Sequence, residues 1–264
     1  MQFDLKGTRA VVSGSTEGIG YAIARGLAAA GAEVVVNGRS EARTEEAAAR
    51  LRFEVAGAVV AGVAGDLSTA EGAHAFLARA GAADILVNNV GIFEPKPFAD
   101  IPDEDWERLF QTNVMSGVRL SRHYLPRMLE KGWGRIVFIS SESAVNVPPE
   151  MIHYGMTKTA QLSIARGLAE MTAGTGVTVN SVLPGPTRSA GVATFLRRMA
   201  EKEGYSPEDA EASFIRQNRP TSLLRRLATV EEVANMVLYA CSREASATNG
   251  AALRVEGGLL RSIV

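Results

Sequence analysis

The sequence is poor in the residues that build disulfide-linked or metal-bound folds. Its 264 residues include one cysteine, Cys241, so no internal disulfide can form, which is typical of a reducing compartment. The three histidines show no metal-ligand spacing, and we expect no metal site. Lys and Arg total 28 and Asp and Glu total 29, a balance that argues against nucleic acid or an anionic membrane as the main partner.

Long apolar runs are absent as well. No uncharged stretch approaches the roughly 18 residues of a membrane span, so we expect no membrane partner. The first residues include Asp4 and lack the apolar region of a secretory signal, which favours a cytoplasmic protein. What the chain has is 46% hydrophobic and 22% charged residues, an ordinary globular composition that can bury a large core.

Short runs rich in valine and isoleucine alternate with helical stretches rich in alanine and leucine. This alternation predicts an α/β fold in one domain over 1–264: a Rossmann-type, doubly wound parallel sheet of about seven strands with helices on both faces. Strands are predicted at 9–13, 33–37, 59–63, 85–88, 135–140, 177–183 and 252–255. Helices are predicted at about 19–30, from 40 onward, at 103–131 with a break near its middle, at 153–172 and at 231–242.

The stretch 187–226 differs from this pattern. It contains proline, glycine and serine, two predicted short helices at 193–203 and 207–217, and no predicted strand. Because it follows the carboxyl end of a strand, where open α/β sheets bind ligands, we predict a substrate lid. A surface excursion without special use is the alternative. Its eight basic and five acidic residues faintly favour an anionic substrate.

A glycine-rich turn joins the first predicted strand to the first helix. Gly14, Gly18 and Gly20 follow a G-x-x-x-G-x-G spacing. Glycines let the chain turn tightly and let its backbone approach a pyrophosphate, while the helix N-terminus offers N–H groups to that anion. No Gly-Lys-Ser/Thr follows, so the turn is not a P-loop. The pattern predicts a dinucleotide cofactor.

Tyr154 and Lys158 lie four residues apart and would share one face of a helix. The lysine charge would favour the phenolate and lower the pKa of Tyr154 from its usual value of about 10. The pair could therefore act as an acid–base group on an alcohol or a carbonyl. This spacing is a weak signal alone, and it gains weight from the glycine turn and from Ser141, thirteen residues upstream of Tyr154.

Taken together, these motifs resemble the short-chain dehydrogenase/reductase family over essentially the whole chain. The family's Asn-Asn-Ala-Gly motif is present as Asn88-Asn89-Val90-Gly91. The resemblance implies the catalytic set Asn113, Ser141, Tyr154 and Lys158, with Asn113 holding a water that links Lys158 to solvent. It also implies cofactor contacts at Gly14, Ser15, Thr16, Gly18, Ile19, Gly20, Asp66, Leu67, Asn89, Gly91, Tyr154, Lys158, Pro184, Gly185 and Thr187.

The end of the second predicted strand bears on which cofactor is used. Enzymes that prefer NAD place a carboxylate there for the ribose 2′-hydroxyl, whereas here Gly38 takes its place. Arg39 could instead bind a 2′-phosphate, so NADP is favoured. NAD stays possible, because Glu17 stands where many NADP-using relatives carry a basic residue.

The resemblance implies an oxidoreductase that interconverts a secondary alcohol and a ketone or aldehyde. Tyr154 would transfer the proton and Ser141 would hold the carbonyl oxygen. The alternatives are a 3-oxoacyl-thioester reductase, a dinucleotide-binding regulator without turnover, and lyase or epimerase chemistry. Besides the lid, the expected substrate pocket comprises Phe93, Glu142, Val145, Asn146 and Ile152.

The C-terminus bears on assembly. The resemblance implies a homotetramer, with a dimer as the second choice. The apolar residues Leu259, Leu260, Ile263 and Val264 would suit burial at such an interface. Packing of this tail on its own subunit is the alternative.

Overall fold

The computed structural model describes residues 3–204 and 206–263, and its seven strands form one parallel sheet in the order β3-β2-β1-β4-β5-β6-β7. The chain moves outward from β1 to β3 and then returns to β4 beside β1, which creates a ligand crevice at their carboxyl ends. The predicted doubly wound α/β fold is thus confirmed. The strands are β1 Arg9–Val12, β2 Glu33–Gly38, β3 Val60–Ala64, β4 Ile85–Asn88, β5 Trp133–Ile139, β6 Gly176–Pro184 and β7 Ala252–Val255.

The helices agree with the predictions except at Ala70–Ala80, where no helix was predicted. The N-cap residue of this helix, Thr69, accepts a hydrogen bond from the N–H of Gly72. The long predicted helix is divided at a π-helical turn, Gln111–Met115, which gives the expected break a defined geometry. The helices are α1 Gly18–Ala29, α2 Glu41–Glu54, α3 Ala70–Ala80, α4 Asp103–Phe110, α5 Ser116–Lys131, α6 Ile152–Glu170, α7 Ala190–Glu203, α8 Pro207–Asn218 and α9 Val230–Cys241.

Apolar side chains fill both faces of the sheet. Ile23 of α1 and Val237 of α9 pack on one face, and both are fully buried. Phe76 and Phe138 belong to the cluster on the opposite face, with α3 and α5. Burial of each such side chain stabilises the fold by about 1.5–3 kcal/mol. The packing holds the carboxyl ends of the strands rigidly around the crevice.

The predicted lid, residues 187–226, forms α7 and α8, which pack on each other through a small apolar core of their own. That core includes Leu196, Phe214 and Ile215, together with Leu227 beyond the lid. Ser189 caps α7 and accepts a hydrogen bond from the N–H of Val192. The described residues of the lid are therefore largely helical.

The C-terminal residues pack differently from the expectation. Leu259 and Leu260 are buried within their own subunit, while Ile263 is fully exposed and Val264 lies outside the described residues. The alternative interpretation, an apolar tail packed on its own subunit, therefore describes the two leucines. Across the described part of the chain, no helix combines the length and apolarity needed to cross a membrane.

Candidate active site

A cavity of about 1070 Å³ lies over the carboxyl ends of the central strands, between the glycine-rich turn and the lid. Of the residues predicted to bind the cofactor or act in catalysis, those that line it are Gly14, Thr16, Gly18, Ile19, Gly20, Arg39, Asp66, Leu67, Asn89, Gly91, Ser141, Tyr154, Lys158, Pro184, Gly185 and Thr187. Ser15 and Asn113 do not. The structure thus brings sixteen of the predicted residues to one cavity.

The glycine-rich turn needs its glycines. Gly14 and Gly18 have φ angles of 59° and 60°, in the left-handed region that favours glycine. A Cβ atom at Gly20 would lie 2.3 Å from the carbonyl oxygen of Gly14. No side chain caps the N-terminus of α1, where Glu17 is the N-cap residue. The first N–H groups of this helix therefore face a cradle that can accept an anion.

Asn37 on β2 holds the turn in place, a role that the sequence analysis missed. Its Oδ1 accepts a hydrogen bond from the N–H of Gly14 at 3.2 Å, and its Nδ2 donates to the carbonyl oxygens of Val63 and Gly65. Ser15 supports the turn from behind: its hydroxyl donates to the carbonyl oxygen of Val12. Ser15 is fully buried, so its expected cofactor contact is not supported by its position.

Asn113 lies in the π-helical turn and is completely buried. Its Nδ2 donates to the carbonyl oxygen of Ile92 at 2.9 Å and to Oγ1 of Thr157 at 3.0 Å. Its Oδ1 accepts from the N–H of Ile92 at 2.8 Å. The side chain therefore ties the loop after β4 to α6. Its main-chain oxygen accepts a hydrogen bond from Nε2 of Gln161.

Lys158 lies on the same face of α6 as Tyr154, as the spacing predicted. Its Nζ is 5.6 Å from the centre of the tyrosine ring. Nζ donates to the carbonyl oxygen of Ile139 at 2.9 Å and to Oε1 of Gln161 at 3.3 Å. A Cβ atom at Gly91 would lie 3.2 Å from this nitrogen, so the glycine leaves the ammonium accessible from the cavity.

Burial dominates the acid–base properties of this pair. It raises the pKa of Tyr154, and the charge of the nearby Glu142 raises this pKa further. A hydrogen bond with Ser141 and the charge of Arg219 lower the pKa, but by less. Burial also lowers the pKa of Lys158 to about 7. The expected lowering of the tyrosine pKa by the lysine charge is not found, because burial raises it instead. Burial therefore favours the protonated phenol of Tyr154 and brings the pKa of Lys158 close to neutral pH.

A buried ion pair connects Ser141 to the lid. The carboxylate of Glu142 accepts a hydrogen bond from the Ser141 hydroxyl at 3.2 Å. Its other oxygen accepts from Nε of Arg219, at the end of α8, at 2.9 Å. Arg219 also contacts Glu150 at 3.4 Å. The pair is almost completely buried, so sequence-distant charges meet beside the predicted catalytic serine.

The substrate end of the cavity has an aromatic wall. The ring of Phe93 contacts that of Tyr154 at 6.1 Å and that of Phe195 at 6.4 Å, and Phe195 contacts Phe214 at 5.7 Å. Phe93 and Glu142 line the cavity as expected. The other three expected pocket residues, Val145, Asn146 and Ile152, lie outside its lining; the exposed fraction of Val145 is 53%.

The opposite end of the cavity carries two arginines near the end of β2. Arg39 is exposed and makes no ion pair or hydrogen bond within residues 3–204 and 206–263. Arg43 pairs with Glu17 at 3.1 Å, so the acidic residue on the glycine turn has a cationic partner. Asp66 lies at this end too, where a hydrogen bond from Ser68 and, to a smaller extent, the charge of Arg39 lower its pKa. In the same described ranges, no three His, Cys, Asp or Glu residues form a metal-binding group.

The fold and this cavity define a Rossmann-type α/β protein with its ligand site at the switch point of the sheet. A family model described as enoyl-(acyl carrier protein) reductase matches residues 14–260. The chain is 49% identical to the uncharacterized oxidoreductase YvaG of Bacillus subtilis (strain 168), over 100% of both chains. It is 34% identical to D-beta-hydroxybutyrate dehydrogenase of Rhizobium meliloti (strain 1021), covering 94% of this chain and 97% of that protein.

A solved structure is also similar over the full length. The crystal structure of L-sorbose reductase from Gluconobacter frateurii, complexed with NADPH and L-sorbose, has a TM-score of 0.93 and 32% sequence identity, covering 100% of both chains. This chain belongs to the short-chain dehydrogenase/reductase family of oxidoreductases.

Proposed function

We propose that this chain is an NADP(H)-dependent oxidoreductase that interconverts a secondary alcohol and its ketone. The observation that carries the proposal is one cavity with Tyr154, Lys158 and Ser141 at one end and an uncapped helix N-terminus behind a glycine turn at the other. A bound nicotinamide cofactor would supply the hydride, which no side chain can carry.

The residues of the cavity fit such a cofactor. The N-terminus of α1, with the close backbone approach allowed by Gly14 and Gly18, would bind the pyrophosphate. Asp66 and Leu67 would contact the adenine, and Lys158 the ribose hydroxyls beside the nicotinamide. The remaining proposed contacts are Thr16, Ile19, Gly20, Asn89, Gly91, Tyr154, Pro184, Gly185 and Thr187.

A preference for NADP follows from the charges near β2. Gly38 offers no carboxylate to a 2′-hydroxyl, and Arg39 has no hydrogen-bond or ion-pair partner among the described residues, so its guanidinium is available to a 2′-phosphate. The ion pair between Arg43 and Glu17 reduces the repulsion that Glu17 would exert on that phosphate. The NADPH complex of the sorbose reductase supports this choice. NAD stays the second choice.

The protein's own groups would then manage the proton. In the reductive direction, Tyr154 would donate its phenolic proton to the carbonyl oxygen, and its raised pKa keeps that proton in place until then. Ser141, whose hydroxyl donates to Glu142, would turn that hydroxyl toward the same oxygen and hold the carbonyl. Asn113 would keep the loop after β4 in register with α6.

The charges beside Ser141 favour a neutral, hydroxylated ketone. Glu142 and Glu150 supply two carboxylates against the single guanidinium of Arg219, so an acidic substrate would meet a net negative charge. Of the lid arginines, all in the described part of the chain, Arg219 alone lines the cavity, and Arg188 and Arg226 are paired with Glu211 and Glu232. The excess of basic residues in the lid therefore does not support an anionic substrate. Substrate hydroxyls could bond both carboxylates and guanidinium.

A 3-oxoacyl-thioester reductase is the second candidate. The aromatic wall of Phe93, Phe195 and Phe214 could accept an acyl chain, and the matching family model is described as an enoyl-(acyl carrier protein) reductase, whose name shares the acyl-carrier-protein substrate but not the 3-oxo group. The presence of Asn113, Ser141, Tyr154 and Lys158 together argues against the third, a regulator without turnover.

We propose that the chain assembles as a homotetramer, with a dimer as the second choice. Support comes from an exposed apolar patch on α4 and the residues before it, where Phe98 is 63% and Phe110 37% exposed and Trp106 packs against Phe98. Covering these rings in a subunit interface would remove them from water. Light scattering coupled to gel filtration measures the assembly directly.

A substrate panel tests the proposed function. Consumption of NADPH is followed with hydroxylated ketones, matched ketones without hydroxyls, and a 3-oxoacyl thioester. We expect turnover of the hydroxylated ketones above all. Preference for the thioester would support the second candidate, and no turnover across the panel despite NADPH binding would support the regulator.

A further inference from the structure

The side-chain amide of Gln161 lies between two residues of the proposed catalytic set. Gln161 is 1% exposed. Its Nε2 donates to the main-chain oxygen of Asn113 at 2.5 Å, and its Oε1 accepts from Nζ of Lys158 at 3.3 Å. Both ends of one amide are therefore satisfied by groups that the proposed reaction uses.

The fold explains why this glutamine reaches both groups. Gln161 follows Lys158 by three residues, so the two side chains leave α6 on the same face. The π-helical turn packs against that face, where Thr157 accepts the hydrogen bond from Asn113 Nδ2. α6 thus holds Asn113 at two points, through Thr157 to its side chain and through Gln161 to its main chain.

The contact of Gln161 with Asn113 bears on the expected proton path. A water beside Asn113 was expected to link Lys158 to solvent. The amide N–H of Gln161 takes one of the two acceptor positions of the Asn113 main-chain oxygen, and the same amide accepts from Lys158. Water passes a proton by taking one and releasing another, whereas a neutral amide keeps its protons at physiological pH.

We propose that Gln161 is a positioning residue, which holds the ammonium of Lys158 and fixes the main-chain oxygen of Asn113 beside it, while the second lone pair of that oxygen stays open to the expected relay water. This inference rests on the proposed function for its catalytic consequence, but the positioning itself can be measured without a substrate.

Lys158 has few charged neighbours that could affect its titration. Burial alone lowers its pKa to about 7. From its own helix, the titratable group that faces Lys158 is Tyr154. From the segment after β5 it is Glu142, whose charge is balanced by the buried guanidinium of Arg219. The π-helical turn and the loop after β4 present the uncharged Asn113 and Gly91. A substitution of Gln161 should therefore change the pH at which Lys158 titrates.

Two substitutions separate positioning from simple packing. Gln161→Leu fills similar space without hydrogen bonds, whereas Gln161→Ala opens room for water, which finds polar partners in Lys158 Nζ and the Asn113 oxygen. If the hydrogen bonds matter, the alanine variant keeps more function than the leucine variant. If only packing matters, the larger truncation is the more harmful.

The experiment combines NMR titration of ¹³Cε-labelled lysine with single-turnover kinetics. In Gln161→Leu we expect Lys158 to lose its proton at a lower pH than in the wild type, and the single-turnover rate to fall roughly tenfold or more. Gln161→Ala should keep both near wild type. Gln111→Leu, at an exposed glutamine bound to Arg119, is the matched control and should change neither.

An unchanged Lys158 titration in Gln161→Leu, or a more damaging alanine substitution, would overturn the proposal. If the leucine variant does not fold, Gln161→Met supplies a second apolar side chain with the same expected shift. A lysine titration that shifts as expected in an enzyme that reduces nothing would support the positioning and contradict the proposed function instead.

Discussion

The two ends of the cavity are built in different ways. At the cofactor end, the shape comes from the main chain: Gly14, Gly18 and Gly20 turn beside α1, and Asn37 holds the turn by hydrogen bonds. At the substrate end, the shape comes from side chains, above all the pair of Glu142 with Arg219. A main-chain site binds the part common to every reaction of the fold, while side chains can be exchanged to suit a substrate.

The largest loss of stability is expected at the cofactor end of the cavity, where the main chain forms the site. Gly20→Ala would put a Cβ atom 2.3 Å from the carbonyl oxygen of Gly14, so the turn must deform. We expect a loss of more than about 4 kcal/mol in the free energy of unfolding, or no folded protein. Gly167→Ala, at an exposed helical position with open space, is the control and should stabilise by up to about 1 kcal/mol. Urea denaturation compares the two, and equal stabilities would contradict the rigid-turn account.

The buried ion pair at the substrate end should give the next largest effect. Glu142→Gln leaves the buried guanidinium of Arg219 without the charge of Glu142, and Arg219→Met leaves the buried carboxylate of Glu142 without a cation, so about 3–5 kcal/mol of unfolding free energy should be lost in each variant. The double variant should recover much of that loss. Substituting both members of the exposed pair Arg166 and Glu170 should cost less than about 1 kcal/mol. Additive losses in the double variant would show that the two charges do not act as a pair.

Arg39 sharpens the comparison at the cofactor end, because here a side chain supplements the main chain. Arg39→Ala should weaken NADPH binding by about 1.5–3 kcal/mol, the contribution of a hydrogen bond to a charged group, and leave NADH binding unchanged. Fluorescence titration with both cofactors measures the ratio. Equal weakening of both would mean that Arg39 contacts the adenine instead of a 2′-phosphate.

Lys158 lies where the two ends meet, and its burial predicts an effect on stability of the opposite sign. Because burial lowers its pKa from 10.5 to about 7, the unfolded chain binds more protons between these values, and stability rises with pH across that window. Lys158→Met should therefore abolish activity yet raise the thermal midpoint, more at pH 6 than at pH 10. A stabilisation independent of pH would show that the lysine is not buried in this way.

Local patterns were enough to predict the main-chain end. The spacing of Gly14, Gly18 and Gly20 and the position of Tyr154 four residues before Lys158 reflect geometry within a turn and a helix. The pairing of Glu142 with Arg219 joins residues that are 77 positions apart. No helical or strand periodicity encodes that distance, so only the packed lid reveals it.

The same reason explains the smaller failures. The hold of Asn37 on Gly14 depends on two strands becoming neighbours, and the contact of Gln161 with Asn113 depends on a π-helical turn meeting α6. Ser15 has the right place in the motif, but its hydroxyl donates to the carbonyl oxygen of Val12 behind the turn. The place of a motif in the sequence predicted which segment reaches the cavity, but it did not predict which side chains of that segment face the cavity.

The most direct test of the central claim compares wild type with Tyr154→Phe in NADPH-dependent reduction of the best ketone of the panel. Removing the proton donor should lower kcat by about 10²–10⁴-fold, while NADPH binding, measured by fluorescence, stays unchanged. The substitution removes only the hydroxyl and keeps the ring that contacts Phe93. A variant that reduces the ketone at the wild-type rate would contradict the account.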